Sequence, residues 1–199
     1  MVRITIIVLG FLISGNMAHA QLQKHGIGVR LGDPSGITYK NYLSKTRSVE
    51  FGIGSISPNW HWGYYQRSFG DYSQYKNDRY LSHEVMSTLY LQARYLLNYD
   101  IQIDGMVGKL DWYWGAGAML KLARVRYHYQ DITNTFLPQT DTKSDIDLGP
   151  EGIIGLEYKF EGLPLSVFGE ASLMIELLNR PGAVRVFSGV GIRYNFDRL

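Results

Sequence analysis

Charged residues recur within segments whose alternate positions are apolar, and they are the first candidates for chemistry in this sequence. The bases of this set are Arg30, Lys40, Arg94, Lys121, Lys159, Arg185 and Arg193. The acids are Glu50, Glu84, Asp111, Glu151, Glu157, Glu170 and Glu176. Because both signs occur equally often on one face, they can neutralise each other in pairs. The set therefore predicts a structural ion-pair network.

Metal and thiol chemistry lack the residues that they need. The chain contains no cysteine, which excludes disulfides and thiolate catalysis. The histidines, including His83 beside Glu84, show no metal-ligand spacing, and neighbouring side chains on a strand point to opposite faces. We therefore expect no catalytic residue, no metal and no cofactor.

The overall composition favours a sheet protein without a nucleic-acid partner. Lys and Arg number 20 against 18 Asp and Glu, the net charge is +2, and no basic block occurs. The 22 glycines and 15 tyrosines, with only 6 prolines, are typical of many strands joined by tight turns.

The first twenty residues have the pattern of a secretory signal peptide. Arg3 precedes an apolar run over residues 4–13, and Ala18-His19-Ala20 forms a small-x-small cleavage site. The run is about half the length of a spanning helix. We expect a signal peptide at 1–20, cleaved after Ala20, and one domain at 21–199.

Period-2 alternation along residues 21–199 predicts an all-β fold of about eight antiparallel strands. The predicted strands cover residues 25–32, 36–43, 47–57, 83–97, 110–123, 147–160, 164–177 and 183–196. Long loops are expected at 58–82 and 124–146, and a medium turn at 98–109. Consecutive hairpins of this kind predict an up-and-down β-barrel.

The distribution of charge between the two faces indicates which solvent surrounds the barrel. Glycines on the charged face make room for long side chains, as the narrow interior of an eight-stranded barrel requires. The opposite face is apolar and carries aromatic residues near one end of the strands, namely Tyr95, Trp112, Trp114, Tyr158 and Phe160. Such rings form a girdle at a membrane interface. We therefore expect a transmembrane barrel; a soluble barrel with an apolar core is the alternative.

Two segments, residues 111–117 and 191–196, resemble the small outer-membrane β-barrels of the OmpA-like and OmpX-like kind, most closely the Bacteroidetes versions. Residues 111–117, Asp-Trp-Tyr-Trp-Gly-Ala-Gly, are similar to the fifth strand of that group. Gly191, Tyr194 and Phe196 match its C-terminal assembly signal, although residues 197–199 follow the last aromatic. The resemblance implies an outer-membrane location, contact with membrane lipid and lipopolysaccharide, and handling by periplasmic chaperones and the barrel-assembly machinery.

The function that the sequence favours is a structural or surface-interaction role without catalysis. One alternative is an adhesion or ligand-binding barrel acting through the 58–82 and 124–146 loops, the first of which holds Trp60, Trp62 and Tyr64. These rings could instead continue a strand and pack on the neighbouring hairpin, which is our preferred interpretation. A narrow gated pore or a lipid A-modifying enzyme are further alternatives, but no His-x-Ser of the deacylase barrels occurs.

Overall fold

The computed structural model describes residues 24–57, 62–132 and 137–197, with Trp62 described by its backbone alone. The chain forms strands β1 (His25–Asp33), β2 (Ser35–Tyr42), β3 (Arg47–Ser55), β4 (Arg79–Ile101), β5 (Lys109–Gln130), β6 (Pro138–Lys159), β7 (Leu165–Ile175) and β8 (Val184–Phe196). Between β3 and β4 lie helix α1 (Trp62–Asp71) and a 3₁₀ turn, Ser73–Tyr75. The predicted signal peptide lies outside the described residues.

Each strand pairs antiparallel with the next, and β8 pairs with β1 to close the barrel. At this closure His25 lies opposite Phe196 and Asp33 lies opposite Ser188, so the register runs without a shift along β1. The predicted all-β class, the number of strands and the up-and-down order are confirmed.

Alternation places charge inside the barrel and apolar side chains outside. Along β8, Arg185 and Arg193 are buried, whereas Val184, Val186 and Val190 are about 60% exposed. The same inversion holds around the barrel wall, where the exposed apolar side chains include Val29, Ile53, Leu91, Ile154, Leu156 and Ile192. Water would penalise such a surface and lipid does not, so the fold is that of a transmembrane barrel.

Glycines make room in the narrow lumen for two rings. A Cβ atom at Gly155 would lie 2.5 Å from the Tyr113 ring, and one at Gly191 would lie 2.3 Å from the Phe168 ring. Both distances are far below van der Waals contact. The inward glycines therefore form the hollows into which these rings fit.

Strands β4, β5 and β6 extend beyond the other strands at the end of the barrel opposite the chain termini. The prediction of a long loop at 124–146 is therefore wrong. The predicted 124–146 loop is mostly strand: β5 continues to Gln130, β6 begins at Pro138, and Arg126 pairs with Thr142. Buried and exposed side chains continue to alternate along β5 and β6 beyond the length that a membrane requires, because paired strands have two different faces outside the membrane as well. We call the part of β4–β6 beyond Thr88, Lys121 and Asp147 the arm.

The predicted 58–82 loop contains α1, and the expected strand continuation over residues 60–64 is wrong for its described part. Alternating rings at Trp62 and Tyr64 suggested a strand, but Tyr64, Tyr65, Ser68 and Phe69 are buried at helical spacing. Trp60 lies outside the described residues. In the described residues no helix has both the length and the apolar character needed to cross a membrane.

Candidate functional site in the barrel lumen

Glu157 on β6 bonds four different side chains in the lumen. It accepts hydrogen bonds from Lys40 Nζ at 2.7 Å, Arg193 Nη1 at 2.6 Å, the Tyr42 hydroxyl at 2.8 Å and Ser166 Oγ at 2.9 Å. These donors come from β2, β8 and β7. One acid therefore joins four strands across the lumen.

A chain of arginines and acids continues from this point through the barrel. Arg193 reaches Glu50 at 2.5 Å, and Arg94 reaches both Glu50 at 3.1 Å and Glu151 at 2.7 Å. Glu170 accepts from Arg94 at 2.8 Å, from Arg30 at 2.5 Å and from the Tyr113 hydroxyl at 3.0 Å. We call this set the midbarrel network; its members are Arg30, Lys40, Glu50, Arg94, Glu151, Glu157, Glu170 and Arg193.

A layer of buried apolar side chains lies above the midbarrel network, on the side away from the termini. It comprises Ile56, Tyr90, Met119, Met174 and Phe187, which form one contact cluster. Along β8, Phe187 stands between Arg193 and Arg185; along β7, Met174 stands between Glu170 and Glu176. The apolar layer therefore separates two charged groups of residues.

The second charged group surrounds Asp147 at the barrel mouth. Asp147 contacts Lys121 Nζ and accepts from Arg185 Nη2 at 2.7 Å, and the same Arg185 nitrogen lies 3.3 Å from Glu176. Asp145 lies 3.7 Å from Lys121. We call these five residues, Lys121, Asp145, Asp147, Glu176 and Arg185, the mouth network.

Helix α1 closes the mouth network with the side chain of Tyr64. The Tyr64 hydroxyl lies 2.7 Å from Glu176 and 3.0 Å from Asp147, and the Arg185 guanidinium stacks 3.7 Å from the centre of its ring. Burial, together with the charges of Asp145 and Asp147, raises the pKa of Tyr64 well above its usual range. Tyr64 therefore stays protonated and serves as a hydrogen-bond donor.

An aromatic cluster holds α1 against the arm. Phe69 stacks on Tyr75 with 4.6 Å between ring centroids and also contacts Tyr127 at 5.4 Å. Tyr65, Tyr75 and Tyr127 are buried. The rings that the adhesion alternative would place on an open binding surface within residues 58–82 thus pack against the protein where they are described.

Most of the charged residues singled out in the sequence meet inside the barrel, and one does not. Asp111 contacts Lys159 at 2.9 Å near the end of the barrel where the chain termini lie. The remaining residues of the set, except Glu84, belong to the midbarrel or the mouth network. Glu84 is exposed and pairs with Arg126 at 3.2 Å on the arm. A register shift between Val85 and Ser87 moves residues 82–85 of β4 by one residue and exchanges their faces, and a second shift lies between Tyr80 and Ser82.

The sequence analysis missed Asp145, Asp147 and the capping Tyr64. Asp145 fell within an expected loop, and Asp147 was the first residue of an expected strand. Their spacing of two residues, continued by Glu151, is the signal that would have placed them on the inward face. Tyr64 carried no such signal because it acts from a helix.

The aromatic residues of the predicted girdle lie on the outward face towards the terminal end of the barrel. Tyr95, Trp114 and Phe160 are exposed, while Trp112 and Tyr158 are partly exposed. Tyr99, which was not predicted, stacks on Trp112 with 4.9 Å between ring centroids. In β8, Tyr194 and Phe196 also face outward, whereas Gly191 faces Phe168 in the lumen.

The chemistry available to this site is charge pairing and hydrogen bonding. The described part of the chain contains no group of three or more His, Asp or Glu residues able to hold a metal ion. Within the lumen, acids and bases neutralise each other at hydrogen-bond distance, and this arrangement suits a filled interior.

Comparisons with known proteins give similarities of structure alone. No protein-family model matches the sequence, and no curated protein matches it. The structure is similar to the N-terminal β-barrel domain of Pseudomonas aeruginosa OprF, with a TM-score of 0.48 and 12% identity over 88% of this chain and 100% of that chain. It is also similar to Ail, the attachment invasion locus protein of Yersinia pestis, with a TM-score of 0.39 and 10% identity over 86% and 93% of the two chains.

Proposed function

We propose that the protein is an integral outer-membrane barrel with a filled, ion-paired interior and a structural or surface-interaction role, without catalysis. The observation that carries this proposal is the inverted wall: apolar side chains face outward around the barrel while acids and bases pair inside. Such a molecule is stable only where lipid or detergent covers its exterior.

The same proposal includes the path by which the protein reaches the outer membrane and the lipids that surround it there. The signal peptide at 1–20 delivers the chain to the periplasm, where chaperones keep it unfolded, and the barrel-assembly machinery recognises β8 through Gly191, Tyr194 and Phe196. The termini and the short turns then face the periplasm. Outer-membrane lipid and lipopolysaccharide surround the wall, and the girdle lies at the periplasmic interface.

Extraction and gel mobility test this proposal. Membranes from cells that express the full chain should retain the protein after washing with urea or carbonate, and the unboiled protein should migrate differently from the boiled one. A protein that is washed off and shows no mobility shift would contradict the proposal.

A filled lumen also predicts the absence of ion conduction. The apolar layer, which includes Met119, Met174 and Phe187, stands between the two charged networks, and ions enter an apolar layer at high cost. Planar-bilayer recordings should show no current steps above background. Regular steps would favour the gated-pore alternative.

A second candidate function is adhesion through the arm, which is favoured by its open strand edge. From Pro138 to Asp147, β6 pairs with β5, and its pairing with β7 covers only Glu151 to Lys159. The Thr142 N–H is bonded to the side chain of Asp141 rather than to a strand. An exposed strand edge can add a strand from another protein.

A proline on this edge distinguishes adhesion from a purely structural role. Thr142→Pro should leave the barrel folded, as judged by the gel-mobility shift, because proline is tolerated on an edge strand. If the arm binds a surface partner by strand addition, cells that carry the variant should lose adhesion. Adhesion that is unchanged in the variant would argue against this second function.

A further inference from the structure

A pocket of about 900 Å³ opens at the barrel rim between α1 and the turn that joins β7 to β8. Gly63, Tyr64 and Arg67 line it from α1, and Arg180 lines it from the turn. Arg185 of the mouth network and the outward-facing Val184 and Val186 complete its wall. The pocket therefore adjoins both the lumen mouth and the apolar exterior.

Positive charge dominates the lining of this pocket. Within the described part of the chain its charged residues are Arg67, Arg180, Arg185 and one acid, Asp71, which pairs with Arg180 at 2.9 Å. Arg67 is exposed and has no ion-pair partner among the described residues. The first turn of α1, which includes Gly63, carries no acidic residue, so its N–H groups add to the positive potential.

Arg185 gives a second, independent observation that points to an anionic ligand. Its side chain is only 4% exposed, and its two carboxylate contacts both use Nη2. Nε and Nη1 have no hydrogen-bond acceptor among the described residues. A buried guanidinium with two unused donors is costly, and an anion bound nearby would offset part of that cost.

The apolar part of the wall indicates what carries the anion. Val184 and Val186 are 58% and 62% exposed on the lipid-facing side of β8, directly beside the arginines. A ligand that fills the pocket would meet cationic groups at one end and an apolar strand face at the other. That combination suits a phosphate group attached to an acyl chain.

We propose that this rim pocket binds the phosphate group of a membrane lipid, with Arg67 and Arg180 contacting the phosphate above Arg185 and the acyl chain lying against Val184 and Val186. This assignment goes beyond the structural role proposed above. A lipid held here would join α1 to the barrel wall and so fasten the cap over the mouth network.

Native mass spectrometry of the folded full-length protein in a neutral detergent tests the site. On titration with phosphatidic acid, one lipid should remain bound, whereas phosphatidylcholine should be retained far less. Arg67→Gln should weaken phosphatidic acid binding by about tenfold, because it removes a charge-assisted contact. Asp71→Asn should strengthen binding several-fold because it removes the negative charge of Asp71 from the lining. The gel-mobility shift shows that each variant is folded.

Arg126→Gln is the matched control, since Arg126 lies on the arm and pairs with Glu84 away from the pocket. It should leave phosphatidic acid binding unchanged. Equal losses in Arg67→Gln and Arg126→Gln, or equal retention of both lipids by the wild type, would overturn the site.

Glycerol 3-phosphate separates a lipid from a soluble phosphate ester as the source of the anion. It carries the same headgroup without acyl chains, so it should bind at least about tenfold more weakly than phosphatidic acid, because it buries no apolar surface against Val184 and Val186. Equal binding of the two would overturn the assignment to a lipid.

Discussion

The midbarrel and mouth networks contain the same kinds of side chain but differ in what completes them. Residues of the barrel itself complete the midbarrel network: Glu157 takes four donors from β2, β7 and β8, and Arg94 uses three nitrogens on three acids. The mouth network is completed by Tyr64, from a helix outside the barrel wall. Two donors of Arg185 stay unused there.

Because of this difference, we expect the two networks to have different roles, one in the stability of the barrel and the other in local opening and binding. Side chains fixed by paired strands cannot separate without opening the barrel, so the midbarrel network contributes to the stability of the whole fold. The mouth network can lose its cap while every strand pair stays intact. It is therefore suited to local opening and to binding at the rim.

The largest effect is expected from the midbarrel network. Glu157→Gln removes the charge that neutralises Lys40 and Arg193 and should lower the free energy of unfolding by about 3–5 kcal/mol, as for other broken buried ion pairs. Urea titration of the protein in lipid vesicles measures the change. Glu84→Gln is the control and should cost less than about 1 kcal/mol, because the Glu84–Arg126 pair is exposed. Similar losses in both variants would contradict the importance of the lumen charges.

Overpacking beside the midbarrel network is expected to lower the free energy of unfolding by less than the loss of the Glu157 charge. Gly155→Ala places a Cβ atom 2.5 Å from the Tyr113 ring, whose hydroxyl donates to Glu170. The overpacking should lower the free energy of unfolding by about 1–3 kcal/mol in the same titration. At Gly152 a Cβ atom would meet nothing within 4 Å, so Gly152→Ala should not destabilise the barrel by overpacking. A Gly155→Ala variant as stable as wild type would show that the lumen can expand.

The mouth network should respond locally. Tyr64→Phe removes the hydroxyl that bonds Glu176 and Asp147, and it should destabilise α1 by about 1–2 kcal/mol. Hydrogen exchange of the α1 amides should then be roughly tenfold faster, while exchange in β1–β3 should be unchanged. Tyr72→Phe is the control, since its hydroxyl has no hydrogen-bond partner in the described part of the chain. Faster exchange throughout the barrel would show that the two networks are not independent.

The smallest effect concerns the arm and depends on pH. The Tyr75 hydroxyl donates to Asp141 at 2.5 Å, and this bond is the main cause that holds the pKa of Asp141 below its usual value. An acid whose pKa is lower in the folded state stabilises that state above the unfolded pKa, near 3.8, and loses this contribution as the pH falls through the folded pKa. NMR titration of Asp141 should show a pKa that returns towards 3.8 in Tyr75→Phe. An identical pKa in both proteins would exclude the Tyr75 bond as its cause.

Particular residues show how far the sequence could predict the site. The inward positions of Arg30, Lys40, Glu50 and Arg193 followed from period-2 alternation, because a strand has only two faces. Glu84 was misplaced, since the register shift between Val85 and Ser87 leaves no mark in the alternation of the neighbouring residues. Tyr64 was misassigned because its ring spacing to Trp62 fits a strand, whereas burial of Tyr65 and Phe69 selects a helix.

The sequence by itself determined that this chain forms strands with a charged face and an apolar face, since that pattern is local and repeats every second residue. Only the tertiary structure decided which charges meet: Arg193 bonds Glu50 across 143 residues because barrel closure sets the stagger of the strands. It also decided that α1 covers the mouth. The cap depends on the shape of a rim to which β5, β6, β8 and the turn after β7 contribute, and no local pattern encodes that shape.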